Sequence, residues 1–282
     1  MKINTNISSL TAQEAATNTN RSIAGSLEKL STGLKINKAS DDASGLAIAD
    51  KLRTQVTSIN QGVSNGNSAV ALLQIADKSM AEQSKILDTV KAKLIQANTD
   101  TTSEDGRNAI AKDISKLLEQ LDNIAKQTNY NGTNLLQETR TGTGPKGALS
   151  FQIGENVGDM ITTKSVQANT VGFSLTQLVT DSAATTFTRA MATAGQSKVD
   201  AALTTLNGYR GDIGSTQNQV ESAVRNLMTQ STNIKAAESV IRDVDYAEES
   251  ANFNKLNIIS QAGSYAISQS NAVSQNVLRL LQ

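Results

Sequence analysis

The chain has 282 residues, with 26 Lys plus Arg against 26 Asp plus Glu. Its formal net charge is zero, which offers no basic excess for nucleic acid or an anionic membrane and does not oppose self-association. Cys, His and Trp are absent and Pro145 is the sole proline, which excludes disulfides, thiolate chemistry, the Ser-His-Asp triad, His-bearing zinc sites and the HExxH motif.

The N-terminus, MKINTNISSLTAQEAATNTN, lacks a basic stretch followed by a continuous apolar one, so no cleavable secretory signal is expected. Ile23, Leu27, Leu30 and Leu34 then step by four, three and four, a short helical seam. From Leu52 a strict seven-residue apolar repeat runs through Ile59, Gly66, Leu73, Met80, Leu87 and Leu94. Val56, Val63 and Val70 supply a second seam position four residues later. That spacing belongs to helices packed side by side, and a helix over 52–94 is about 65 Å long at the α-helical rise.

Ile110, Ile114, Leu117, Leu121 and Ile124 predict a shorter helix that stops at the NYNG turn, Asn129 to Gly132. From Thr139 to about Gly195 the chain turns Gly-, Thr- and Ser-rich. GALSFQI and DMITTKSV there read as short strands around a GENVG turn. A second heptad run follows: Val199, Leu206, Ile213, Val220, Leu227, Ile234 and Ile241. Three such helices can bury one another as a bundle, and an ordinary coiled-coil rod fits the periodicity equally well.

At the C-terminus Val244, Ala251, Ile258, Tyr265 and Ala272 form one chain of sevens, and Ile259, Ala266, Val273 and Leu280 the adjacent one. These terminal seams are Ala-rich and flanked by amides. At about 25 cal/mol per Å² each buries too little to hold an isolated helix, so both ends are expected to fold against a partner. No run of 18 apolar residues occurs, and the Asn, Gln and Ser of the uncharged tail make it a poor membrane span.

Asp41 and Asp42, in KASDDASG, could bind metal or work as acid and base only with further ligands, and none is visible. Capping of the long helix by Ser40 or Asp41 is the better account. The acids at Asp243, Asp245, Glu248 and Glu249 read as a capping or solvated face. LSTGLKINKASDDASG lacks the spacing of a phosphate loop, and sequons at Asn6, Asn20 and Asn131 read as chance. No catalytic, cofactor or metal residue is assigned, and no enzyme activity is expected.

INTNISSLTAQ, LEKLSTGLKINKASDDASGLAIADKLRTQ and NGNSAVALLQIADKSMAEQSKILDTVK resemble the N-terminal half of bacterial flagellins. QTNYNGTNLL and SFQIGENVGD resemble the family's turn and β-hairpin. RGDIGSTQNQVESAVRNL and DVDYAEESANFNKLNIISQAGSYAISQSNAVSQNVLRLLQ resemble its C-terminal half. The likeness covers nearly everything except about Gly172–Ser197. It implies a mainly α fold: a long antiparallel helical bundle or coiled coil formed by the N- and C-terminal segments, with a small β-hairpin element in the middle.

In that likeness residues 1–41 and 242–282 form the terminal coiled-coil inner domain. Residues 42–171 and 198–241 form the helical bundle, with its β part at about 139–171, and 172–197 is a minimal remnant of a variable outer region. The implied function is a structural subunit that polymerises into the flagellar filament after unfolded export by the flagellar type III system, outside the cell. A hook–filament junction protein is the alternative. Implied partners are copies of itself, an export chaperone on the C-terminal segment, the filament cap and hook-associated junction proteins, with no nucleic acid and no membrane insertion.

Polymerisation contacts fall on Ile3, Ile7, Leu10, Ile23, Leu27, Leu30 and Leu34 of the N-terminal segment. On the C-terminal one they fall on Ile258, Ile259, Tyr265, Val273, Val277, Leu280 and Leu281. The segment that many flagellins present to an animal innate immune receptor aligns with Asp88, Thr89, Val90, Lys91, Ala92, Lys93, Leu94 and Ile95. Thr89 stands where the family has its leading Arg and Lys93 where it has Leu, which weakens that recognition. Thr180, Ser182, Thr185 and Thr186, in a Ser- and Thr-rich stretch expected to face outward, are candidate O-glycosylation sites.

Overall fold

The structure is a computed structural model that describes residues 5–280, with the backbone alone for residues 274 and 276–280. Six helices and two small hairpins are described: α1 (Ile7–Thr32), α2 (Ala43–Ala97), α3 (Glu104–Gln127), β1 (Asn129–Tyr130), β2 (Thr133–Asn134), β3 (Ser150–Gln152), β4 (Met160–Thr162), α4 (Thr176–Ser182), α5 (Arg189–Arg242) and α6 (Tyr246–Leu280). The chain divides into two compact units. One takes the residues up to Val56 and those from Thr232 onward, and the other is Thr57–Ser231. The unit boundaries fall inside α2 and α5.

In the second unit the heptad of α2 is the core. Ile59, Gly66, Leu73, Met80, Leu87 and Leu94 are all buried. The second seam lies three residues after the first, not four. Gly62, Ala69, Ala76, Gln83, Val90 and Ala97 are buried there, while Val63 and Val70 are half-buried flanks. Small side chains in that row let the packed backbones come close, which large residues would prevent. On α5, Val199, Leu206, Ile213, Val220 and Leu227 are buried as their spacing predicts.

The short helix departs in detail from the expected steps. Ile110, Ile114, Leu118, Leu121 and Ala125 form its buried row with Ala111 beside them, and Leu117 and Ile124 flank it. Steps of four, four, three and four keep one face of a 3.6-residue helix inward. Ser103 caps α3 by accepting from the Gly106 amide at 3.2 Å, and Glu104 and Asp105 sit at the positive end of the helix dipole. Beyond α3, Asn131 (φ 49°) and Gly132 (φ 79°) take the left-handed conformations that join two-residue hairpins, so NYNG closes β1 onto β2.

The strands of the middle segment are shorter than GALSFQI and DMITTKSV suggest. An isolated bridge joins Val166 to Lys146, and Ser150, Phe151 and Gln152 pair with Thr162, Ile161 and Met160. Past them the Thr163 hydroxyl accepts from the Leu149 amide at 2.9 Å, a side chain in place of a backbone partner. This hairpin is tied to α2 by Asn65, whose amide group donates to the Gln152 carbonyl at 3.1 Å.

Residues 172–197 are not a bare surface remnant. Phe173, Leu175, Leu178, Phe187 and Ala192 are buried in the core of the second unit. The Phe187 amide donates to Asn108 of α3 at 2.8 Å. Each large side chain buried here is worth about 1.5–3 kcal/mol, so this segment closes the bundle.

Candidate assembly surface

In the first unit α1 and α6 pair antiparallel. Asn6 meets Ser270 (3.2 Å to its carbonyl, 3.3 Å to its hydroxyl), Asn20 meets Ser260 (3.2 Å) and Ser26 meets Glu249 (2.5 Å). The facing row of α1 is Ser9, Ala12, Ala16, Thr19, Ile23, Ser26 and Leu30. That of α6 is Glu249, Phe253, Leu256, Ser260, Gly263, Ile267 and Ser270. A Cβ added to Gly263 would stand 3.9 Å from that of Ala16, a close approach that small residues permit.

The sevens through Ala251, Ile258, Tyr265 and Ala272, and through Ile259, Ala266 and Val273, therefore do not form this seam. They lie on a different, exposed face. Ile258 is 67% exposed, Tyr265 73% and Val273 52%. Ile259 is exposed beside them, and on α1 Ile7, Leu10 and Leu27 are exposed as well. Ile23, Leu30 and Leu34 are half-buried. Ile3 and Leu281 lie outside the described residues, and Val277 and Leu280 lie where only the backbone of α6 is described. Helices of ordinary amphipathic design bury their large apolar residues, whereas this pair leaves several of them exposed.

Both partners break at the same level. α1 ends at Gly33, which at φ 73° donates its amide to the Lys29 carbonyl. Tyr246 covers that glycine, its hydroxyl 2.9 Å from where a Cβ would be. Leu34 bridges Asp243 antiparallel: Lys35 donates to the Arg242 carbonyl at 2.6 Å and Val244 to the Gly33 carbonyl at 3.0 Å.

The carboxylates near this level are structural. Asp42, not Ser40 or Asp41, caps α2, accepting from the Ser44 and Gly45 amides at 3.0 Å. Asp41 instead closes the preceding turn, accepting from Asn37 and Lys38 amides at 3.0 and 2.9 Å. Both carboxyls are held below the usual carboxylate range, Asp42 first by the Gly45 amide and Asp41 first by the Lys38 amide. Asp245 caps α6 through the Ala247 amide at 2.8 Å. Among the described residues no three acidic groups converge as a metal site, and no helix is long and apolar enough to cross a membrane.

In the segment 88–95, Val90 and Leu94 are buried, while Asp88, Thr89, Ala92 and Ile95 are exposed. Lys91 pairs with Asp200 at 2.5 Å and Lys93 with Asp113 at 2.9 Å. Of the four candidate acceptors, Thr180, Thr185 and Thr186 are exposed. Ser182 is not accessible: it is buried, and its hydroxyl donates to the Val179 carbonyl at 3.0 Å.

The periodicity of large side chains found Ile23 and Leu30 but not the rest of the α1 row, whose other residues are Ala, Ser and Thr. Their own alternation by three and four was the available signal.

The chain matches the bacterial flagellin N-terminal helical region over residues 3–141 and the bacterial flagellin C-terminal helical region over residues 196–281. It is 34% identical over 284 residues to the flagellar filament 30.7 kDa core protein of Treponema maltophilum and 35% identical over 305 residues to the flagellin of Bacillus subtilis (strain 168). Both comparisons cover 100% of either chain. Among solved structures, Bacillus cereus flagellin aligns with a TM-score of 0.50 at 27% identity, covering 62% of this chain and 94% of that one. A Vibrio parahaemolyticus protein described as flagellar hook-associated aligns with a TM-score of 0.60 at 12% identity, covering 72% and 99%, a likeness of fold alone.

Proposed function

This chain belongs to the bacterial flagellin family, structural subunits of the extracellular flagellar filament, and on that premise we propose that it polymerises with copies of itself through the outward apolar face of α1 and α6. The observation that carries this is the exposure of Ile258, Tyr265 and Val273 on one helix and of Ile7, Leu10 and Leu27 on its partner. In this proposal residues 1–41 and 242–282 form the terminal coiled-coil domain, 42–171 and 198–241 the helical bundle domain, and 172–197 closes that bundle. Unfolded export by the flagellar type III system, a chaperone on the C-terminal segment, and contacts with the cap and hook-associated proteins belong to the same proposal. The absence of Cys supports export, since no disulfide has to be broken or re-formed.

Thr180, Thr185 and Thr186 are the accessible candidates for O-linked sugars, which intact-mass measurement of native filaments detects. Thr89 and Lys93 weaken recognition by the innate immune receptor. Restoring Arg at 89 and Leu at 93 raises the response of reporter cells if these two positions limit it.

The test of assembly is seeded growth from purified subunits. Ile258→Asp with Tyr265→Asp removes apolar contacts worth about 1.5–3 kcal/mol each when buried, and the loss recurs in every subunit. The double variant should stay a folded, soluble subunit and fail to elongate seeds. Normal elongation would show that this face is not the contact. Failure of the unaltered protein to elongate would instead favour a junction role.

A further inference from the structure

The seam between α1 and α6 has few large side chains to select one alignment. Its apolar members are Ile23 and Leu30 facing Phe253, Leu256 and Ile267, and the remainder are small or polar. Helices with a seven-residue repeat can slip by one heptad and still mesh. The backbone bridge of Leu34 with Asp243 holds one end of the pair, and along the helices themselves polar contacts are left to discriminate among registers. We propose that Ser26 and Glu249, supported by Asn6 and Ser270, fix the register in which α1 and α6 pair, and thereby fix which residues the pair turns outward. This rests on the assembly reading only where filaments are measured.

Ser26 is the one fully buried residue of α1, at 3% exposure, and its hydroxyl donates to the Glu249 carboxylate at 2.5 Å. Asn252, one turn along α6, donates to the same carboxylate at 3.4 Å. At the far end of the pair the Asn6 side-chain amide reaches both the carbonyl and the hydroxyl of Ser270. Between them Asn20 and Ser260 meet in an exposed contact that competes with water and contributes least.

A slip of seven residues toward the α6 N-terminus would set Ser26 at the level of Arg242, Asn20 at Phe253 and Asn6 at Gly263. Thr19 could then replace Ser26 at Glu249, but no other polar contact survives. A slip the other way would set Ser26 at Leu256, Asn20 at Ile267 and Glu249 at Gly33, leaving that carboxylate only the long contact from Asn252 of its own helix. A half-buried carboxylate that loses its short Ser26 contact is disfavoured more strongly than a neutral contact, so Glu249 is the chief discriminator among the side-chain contacts. A single polar position that sets register at the expense of stability is a known device of coiled coils.

The chain has no native Cys, so introduced pairs report the register. Ala16→Cys with Gly263→Cys reads the alignment described here, because the 3.9 Å Cβ separation suits a disulfide. Ser9→Cys with Gly263→Cys and Ile23→Cys with Gly263→Cys read slips of one heptad in either direction. Each is oxidised in purified subunits and in filaments, and cross-links within a chain are separated from those between chains on denaturing gels.

The first pair should close within the chain about tenfold more than either slipped pair, the discrimination expected of one charge-assisted hydrogen bond. Adding Ser26→Ala with Glu249→Ala should erase most of that preference, and Glu249→Gln, which keeps an acceptor, should retain most of it. An unchanged preference in the double Ala variant would overturn the proposal. So would a loss in Glu249→Gln as large as in the double Ala variant. Failure of the assembly reading shows separately, as unaltered subunits that do not elongate seeds while their cross-linking preference can still be measured.

Discussion

The carbonyl oxygen of Ile153 stands where a side chain at Gly62 would begin, 1.9 Å from the position of an added Cβ. The β3–β4 hairpin is thus seated on α2 at a point that tolerates only hydrogen. Gly62→Ala gains about 1 kcal/mol of helix propensity, but the obstruction is backbone and cannot rotate away. Overpacking of this kind costs about 1–3 kcal/mol, so the variant should be no more stable than the parent and lose the Asn65–Gln152 contact. Gly208→Ala on α5 has nothing within 4 Å of the new methyl and should stabilise the subunit by about 0.5–1 kcal/mol. Urea midpoints of the two variants check this. A clear gain for Gly62→Ala would show that the hairpin is not seated there.

Gln83 is fully buried, and its amide group donates to the Leu121 carbonyl at 3.1 Å and the Ala168 carbonyl at 2.7 Å. It joins α2, α3 and the segment after the second hairpin. Gln83→Leu fills the space and removes both donors, which should cost about 1–3 kcal/mol in urea denaturation. In Gln83→Glu only the protonated carboxyl can donate, so its folded pKa is raised. Its stability relative to the parent should be best below the ordinary Glu value of about 4.3 and fall as the pH rises past it. A deficit that stays flat with pH would mean that the donors are not what holds the three segments together.

Asp42 accepts the Gly45 and Ser44 amides only as a good acceptor, and its carboxyl is held below the usual range. Because the folded value is depressed, its contribution is present above the unfolded value of about 3.9 and is lost as the pH falls through the folded one. Hydrogen exchange at the Ser44 and Gly45 amides should therefore speed up, beyond its intrinsic pH trend, in acid. Asp42→Asn caps without titrating and should abolish that excess. If both proteins lose protection alike, the cap is not the acid-sensitive group.

The long heptads were legible because Leu73, Met80 and Leu87, and likewise Leu206, Ile213 and Val220, repeat every seven residues and nothing else explains such regularity. Their companions were harder to see. Ala69, Ala76 and Gln83 occupy the second row of α2, where a search for large apolar residues finds Val56, Val63 and Val70 instead. The same bias affected the termini. Ile258 and Tyr265 suggest a seam by size, yet the intrachain seam runs through Ala16, Ser26, Ser260 and Gly263 beside Ile23 and Leu256, because small residues allow the closer approach. Composition marked the stretch around Ser182 as exposed, but it could not show that Phe187 and Leu178 draw the stretch onto the bundle.

In the assembly proposed above, the outward face of α1 and α6 would give the two ends of the chain a stability that is not a property of one molecule. Within a single chain the pair is held by Ile23, Leu30, Phe253, Leu256 and Ile267 together with short side chains and a few polar contacts. The exposed Ile258, Tyr265 and Val273 would contribute only where another copy covers them. Mass action then sets the order of the ends, since a contact available only between copies strengthens with their concentration. A dilute subunit and a subunit in place share one sequence and one bundle, but their ends stand at different points on the same folding equilibrium.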